Sequence, residues 1–159
     1  MVHRLLHIVQ PDALYMGQKD YQQYAIIQRM LEQLQSPVQL VRVPIVREAD
    51  GLAMSSRNVR LSLEGRQRAN LISQMLFQAH RQAQTDSLAE VQQAALDFLK
   101  QNHLEADYFT IVNGETLAPI TSFEEAHTAT ACVVVRIDGV RLLDNIILRE
   151  PQYHASAPK

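Results

Sequence analysis

The sequence predicts an α/β chain in two parts: a βαβ piece over residues 1–60, then a small α+β domain over 61–150. A flexible tail is expected at 151–159. Three observations carry this. An apolar run, a helical stripe and an alternating valine-rich run follow one another between Ala13 and Val46, in the order strand, helix, strand. Two helix starts then succeed each other from Ser62. Beyond Asp107, apolar runs are separated by Asn-Gly and Asp-Gly turns, the pattern of antiparallel hairpins.

The first segment, "VHRLLHIV", places Val2, Leu5, Leu6 and Val9 at helical spacing, and Pro11–Asp12 ends it. "ALYMG" (Ala13–Gly17) reads as a short buried strand. A helix follows from about Asp20 to Gln35, with Tyr24, Ile27, Leu31 and Leu34 on one face, and Ser36–Pro37 stops it. "VQLVRVPIV" (Val38–Val46) alternates apolar and polar residues and reads as a strand. Strand, helix, strand implies a parallel pair with a right-handed crossover. Such a piece leaves sheet edges unpaired and one helix face uncovered.

Ser62 is a good N-cap for a helix to about Gln84, with Ile72, Met75 and Ala79 facing inward. Ser87-Leu88-Ala89-Glu90 is a capping box, and Leu88, Val91, Ala95, Phe98 and Leu99 form the next stripe. Strands are expected at Asp107–Val112, Ala131–Ile137 and Val140–Leu148, with a short segment near Ser122–Ala126. The last two strands, joined by Asp138–Gly139, form a hairpin.

Bulk properties exclude several classes. Apolar residues are 47% and charged residues 20%, a globular composition, and the net charge of −2 gives no basic surface for nucleic acid. No segment has the roughly 20 apolar residues that span a bilayer. The single cysteine, Cys132, excludes a disulfide framework, fits a reducing, cytoplasmic setting, and reads as a core residue. The six histidines show no metal-ligand spacing, so no metal site is expected. Ser55 and Ser56 lack the Gly-x-Ser-x-Gly setting of a triad nucleophile.

Two polar clusters sit where a strand gives way to a helix or loop, the position ligands take in open α/β sheets. In the first, Gly17 permits close backbone approach and Lys19 offers a mobile cation for phosphate or carboxylate. Asp20 suits sugar hydroxyls and a helix start, and Gln22 and Gln23 add neutral amides. In the second, Ser55, Ser56 and Arg57 supply two hydroxyls and a guanidinium fork suited to phosphate oxygens, with Asn58 beside them. Asp50–Gly51 reads as a turn or hinge. Such residues act by positioning reactants and stabilising charge, not as covalent nucleophiles. Taken singly, Gly-x-Lys-Asp also reads as an ordinary helix start, and Met-Ser-Ser-Arg as a solvated loop.

Taken together, the clusters carry a resemblance. "HIVQPD", "YMGQKDYQQYAIIQRM" and "PVQLVRVPIVREADGLAMSSRNVRLS" resemble, in order and spacing, the pantoate–β-alanine ligase (pantothenate synthetase) family. "DYFTIVNGETLAPI" and "GVRLLDNIIL" resemble that family's small C-terminal domain, so the likeness runs from about Val2 to Leu148. It implies a partial Rossmann-like, nucleotidyltransferase-type piece followed by a lid domain. It also implies ATP-dependent joining of pantoate and β-alanine through pantoyl adenylate, with release of pyrophosphate and AMP. Mg2+ would accompany ATP, with no tightly bound cofactor, and the complete enzyme would be a homodimer.

By the same resemblance Gly17, Gln18, Lys19 and Asp20 line the ATP site, with Lys19 near the phosphates and Asp20 near the ribose. Val46 meets the adenine through its backbone, and Gln23 binds pantoate. Met54, Ser55, Ser56 and Arg57 match the mobile phosphate-binding loop. Lys19, Ser55, Ser56 and Arg57 are the residues expected to act in catalysis.

The family's first Rossmann strands, its His-x-Gly-His-type motif and a second pantoate-binding glutamine have no counterpart in these residues. The chain is therefore expected to be the C-terminal half of a ligase. The alternative is an inactive or split half-enzyme that binds adenine nucleotide weakly.

Overall fold

The computed structural model describes residues 1–150; the expected tail lies outside them. Its elements are α1 (Val2–Val9), β1 (Ala13–Gly17), α2 (Tyr21–Gln33), β2 (Gln39–Val43), α3 (Leu63–Gln82), α4 (Leu88–Gln101), β3 (Glu105–Asn113), β4 (Ala129–Ile137) and β5 (Val140–Arg149). Short 3-10 turns cover Gln18–Asp20, Asn58–Arg60 and Phe123–Glu125. They occupy the start expected for the second helix, the polar loop, and the expected Ser122–Ala126 segment.

β1 and β2 pair in parallel, Ala13 opposite Gln39 and Gly17 opposite Val43, so both strands end at the same edge. Pro44 lacks the N–H that would continue the ladder, so β2 is shorter than the alternation suggests. This pair is bare. None of its residues is buried, and Tyr15 is 68% exposed. The α1 stripe is likewise uncovered, with Leu5, Ile8 and Val9 all exposed. On α2 the buried face is Tyr21, Ala25, Ile27 and Leu31, one step round from the expected stripe, and Leu34 is exposed.

The core lies in the second part. β3, β4 and β5 form an antiparallel sheet in that order. One face, with Phe109, Ile111, Ala131, Val133, Val135 and Leu142, packs on Ile72, Met75, Leu76 and Ala79 of α3 and on Val91, Ala95 and Leu99 of α4. The capping box at α4 forms in both directions, Ser87 with Glu90.

The β4–β5 turn is tied to the start of α3. Asp138 and Gly139 both have positive φ (52° and 72°), as a type I′ turn requires. The Asp138 Oδ2 accepts from the Ser62 N–H and from its hydroxyl, each at 2.8 Å. Ser62 Oγ in turn accepts from the Gly65 N–H at 2.9 Å. A Cβ on Gly65 would lie 2.0 Å from Asp138 Oδ2, so only glycine leaves room for this carboxylate. These bonds hold the Asp138 carboxyl below its usual range, the Ser62 backbone N–H contributing most.

Ser62→Ala removes the cap and should cost about 1 kcal/mol. Gly65→Ala should destabilise as well, by driving Asp138 off Ser62. Urea denaturation at neutral pH reads both. Because the Asp138 carboxyl is held low, its contribution is present above its unfolded value of 3.8 and lost as pH falls through the folded value. Gly65→Ala should therefore differ less from wild type in acid.

Candidate functional site

Gly17 ends β1 in extended conformation, and the chain turns at once into the 3-10 turn of Gln18, Lys19 and Asp20. Asp20 occupies the N-cap position of α2, but its side chain makes no capping bond, which leaves the carboxylate available. Asn145 of β5 holds this turn. Its Nδ2 donates to the Gln18 carbonyl (3.0 Å) and the Lys19 carbonyl (2.9 Å), and its Oδ1 accepts from Gln18 Nε2 (3.2 Å). Tyr21, 4% exposed, opens α2 against the C-terminal sheet. Its hydroxyl lies where a Cβ on Gly114 would come within 2.6 Å. Burial pushes the Tyr21 phenol pKa up, so this contact is made by a neutral hydroxyl.

The second cluster hangs from a small hairpin. Arg47 bridges Ala53, Glu48 N–H donates to Leu52, and Met54 N–H donates to the Val46 carbonyl. Gly51, at φ 92°, makes the turn, and Asp50 Oδ1 caps it by accepting from the Leu52 N–H. Two arginines anchor the hairpin. Arg66 of α3 binds Asp50 at 2.9 Å, which holds the Asp50 carboxyl low. Arg47 forms a bidentate pair with Asp144 (2.7 and 3.0 Å), donates to the Gly51 carbonyl and stacks over Phe77. Beyond the hairpin, Ser55 Oγ accepts from the Arg57 N–H, and the Ser55 carbonyl from the Asn58 N–H. Asn58 is buried and donates to the Ala53 carbonyl, so it is a structural support of the loop. Ser56, Arg57 and Met54 stay exposed.

The fold brings the clusters together. Lys19, Ser55 and Arg57 line one small depression, with Arg141 of β5 as a further cation. Asp107 orients Arg141, accepting from its Nε at 2.6 Å and from Arg136 at 2.7 Å. Lys19 also borders an adjoining cleft of about 680 Å³ between the first turn of α2 and the sheet face opposite the helices. Asp20, Gln22 and Gln23 form one wall; Tyr108, Thr110 and Cys132 form the other. Gly17, Gln18, Val46, Met54 and Ser56 border neither space, and Val46 is 63% exposed beside the hairpin.

Cys132 is thus not the core residue its apolar surroundings suggest. It is half-buried on the cleft face, opposite Thr110 and Asn145, because alternate residues of β4 face opposite ways. Sequence reasoning also missed Arg47, Asp144, Asn145 and Arg141. A signal exists: Asp144-Asn145 interrupts an otherwise apolar strand, and buried polar residues there need partners.

A family model described as Pantoate-beta-alanine ligase matches residues 1–147. The chain belongs to that family. Pantothenate synthetase of Bacteroides thetaiotaomicron is 42% identical over 151 residues, covering 94% of this chain and 54% of the relative. The chain thus spans about half the length of the curated relatives it matches. A crystal structure of pantothenate synthetase from Thermus thermophilus superposes with TM-score 0.84 at 41% identity, again over 94% of this chain and 54% of the other. A pantoate-beta-alanine ligase from Francisella tularensis, complexed with beta-gamma ATP and beta-alanine, gives 0.62 at 26% identity over 92% and 48%. The α/β architecture inferred from the sequence agrees with these ligase structures. Among the described residues, no helix is long and apolar enough to cross a membrane.

Two outcomes test the geometry. Arg47→Met leaves the Asp144 carboxylate buried without a partner and should cost about 3–5 kcal/mol in urea denaturation. Burial pushes the Cys132 thiol up to about 12 from an ordinary 9.0. The folded value lies above the unfolded one, so this contribution is full below pH 9.0 and is lost as pH rises toward 12. Iodoacetamide at pH 8 should accordingly label the native thiol far more slowly than the urea-unfolded one.

Proposed function

We propose that this chain supplies the phosphate-gripping and pantoate-binding part of a pantoate–β-alanine ligase. Residues 1–60 would belong to the nucleotide-binding domain and 61–150 to the lid domain. The observation that carries the reading is the meeting of Lys19, Ser55 and Arg57 at one depression beside an open cleft. Three kinds of group suited to phosphate oxygens converge there from separate segments.

In this reading Gly17, Gln18, Lys19 and Asp20 line the ATP site. Lys19 faces the phosphates, Asp20 the ribose hydroxyls, and Val46 the adenine through its backbone. A pantoate carboxylate oxygen attacks the α-phosphorus. The bond from that phosphorus to the bridging oxygen breaks, and pyrophosphate leaves with the electron pair. Lys19, Ser55, Ser56 and Arg57 stabilise the charge on the departing group, with Met54 as part of the same loop. Gln23 holds pantoate in the cleft by amide hydrogen bonds. The β-alanine amine then attacks the acyl carbon and displaces AMP. Mg2+ enters with ATP on its phosphate oxygens, and the complete enzyme is a homodimer in a cytoplasmic setting.

A second reading, a nucleotide-binding half without chemistry of its own, is favoured by the bare β1–β2 pair. Pantoate-dependent exchange of pyrophosphate into ATP separates the two. Exchange by this chain alone means that the half-site is sufficient, and exchange only after the N-terminal half of the Thermus thermophilus relative is added means that the chain is one part of the ligase; both support the first. Nucleotide binding without exchange in either mixture supports the second. No exchange in either mixture removes the ligase reading.

In whichever preparation is active, Arg57→Ala should slow exchange by about 10²–10³-fold, as for loss of a charge-stabilising donor. Gln23→Ala should raise the pantoate requirement more than the ATP requirement. Equal shifts would remove the pantoate assignment.

A further inference from the structure

We infer that Asp144 and Asn145 are a pair of positioning residues that set the distance between the two halves of the site; this rests on the ligase reading. Neighbouring residues on a strand point to opposite faces. On β5, Asp144 points to the α3 side, opposite Val133, and Asn145 to the cleft side, opposite Cys132. Both are buried, 4% and 3% exposed, and both are fully occupied. Asp144 grips Arg47 at the base of the hairpin that carries Met54–Arg57. Asn145 grips the carbonyls of Gln18 and Lys19.

The two grips are themselves linked, since Asp144 Oδ1 accepts from the Asn145 N–H at 2.8 Å. One peptide unit thus holds the turn that bears Lys19 on one side and the loop that bears Ser55 and Arg57 on the other. Asp144 borders the depression and the cleft and Asn145 borders the cleft, but their side-chain polar atoms are taken up by these bonds, so each acts through the segment it holds. Polar burial in an apolar strand is costly unless matched, and here the matches outside the strand are made to the two half-sites.

Asn145→Asp is the informative variant. It keeps the shape and the acceptor toward Gln18 Nε2, but it replaces the donor to two carbonyls with a carboxylate oxygen. Amide hydrogen exchange of the full chain, read residue by residue, is the first measurement. The expected result is faster exchange by about tenfold at the amides of Lys19–Gln22, with Arg57 and Asn58 unchanged. Asp144→Asn should give the opposite pattern, loosening Glu48, Met54 and Asn58 and sparing Lys19–Gln22. A uniform change across the chain, or none at the turn, overturns the inference.

The second measurement is ATP affinity by calorimetry. Asn145→Asp should weaken it by about tenfold, and an unchanged affinity would also overturn the inference. If wild type binds no ATP alone, the affinity is read with the N-terminal half of the Thermus thermophilus relative added; no binding there removes the ligase reading, and the exchange pattern still decides the positioning claim. If Asn145→Asp does not fold, Asn145→Ser keeps one hydroxyl donor and should give the same pattern in weaker form.

Discussion

The buried pair between Arg47 and Asp144 is the constraint on which the rest of the site depends. A carboxylate enclosed in a sheet carries a desolvation penalty that only a close, well-hydrogen-bonded partner offsets. Arg47 meets it with a two-pronged geometry and makes its remaining contacts with the Gly51 carbonyl and the Phe77 ring. A lysine could not do all three, because an ammonium lacks both the fork and the flat face. What the pair chiefly provides is location: the hairpin leading to Ser55 cannot swing while the ions stay together.

A parallel logic governs the cations near the depression. Arg136 and Arg141 stand directly opposite each other on β4 and β5, a repulsive arrangement. The irregularity in β3 between Ala106 and Tyr108 delivers Asp107 between them. Both arginines hold the Asp107 carboxyl low, Arg141 most. The bulge thus fixes where positive charge is presented, an example of strand irregularity re-aiming side chains.

Local rules made much of the fold legible. Gly17, Pro37, Ser62, Ser87 and the Asp138–Gly139 turn each announce a boundary by their own backbone chemistry, and the elements begin or end beside them. The site was legible as two clusters, since Lys19 and Ser55–Arg57 each follow an expected strand in chain order. Their meeting was not legible, because it depends on β5, more than eighty residues further on. The same limit explains Cys132. Its run Ala131–Val135 is apolar throughout, and no period tells which face of the strand meets helices and which meets the cleft. The uncovered stripe of α1 shows the converse: helical spacing of apolar residues predicts a buried face only where something is present to bury it.

The seat of Asp138 against Ser62 and Gly65 makes an exposed hairpin tip into a fixed joint with the start of α3. Tips of this kind are ordinarily where a chain tolerates added length. Here an extra residue would lift the carboxylate from the start of α3 and break the two-residue turn together. Room for insertions, circular permutation or a fused tag therefore lies elsewhere, at exposed segments whose backbone carries no such tie.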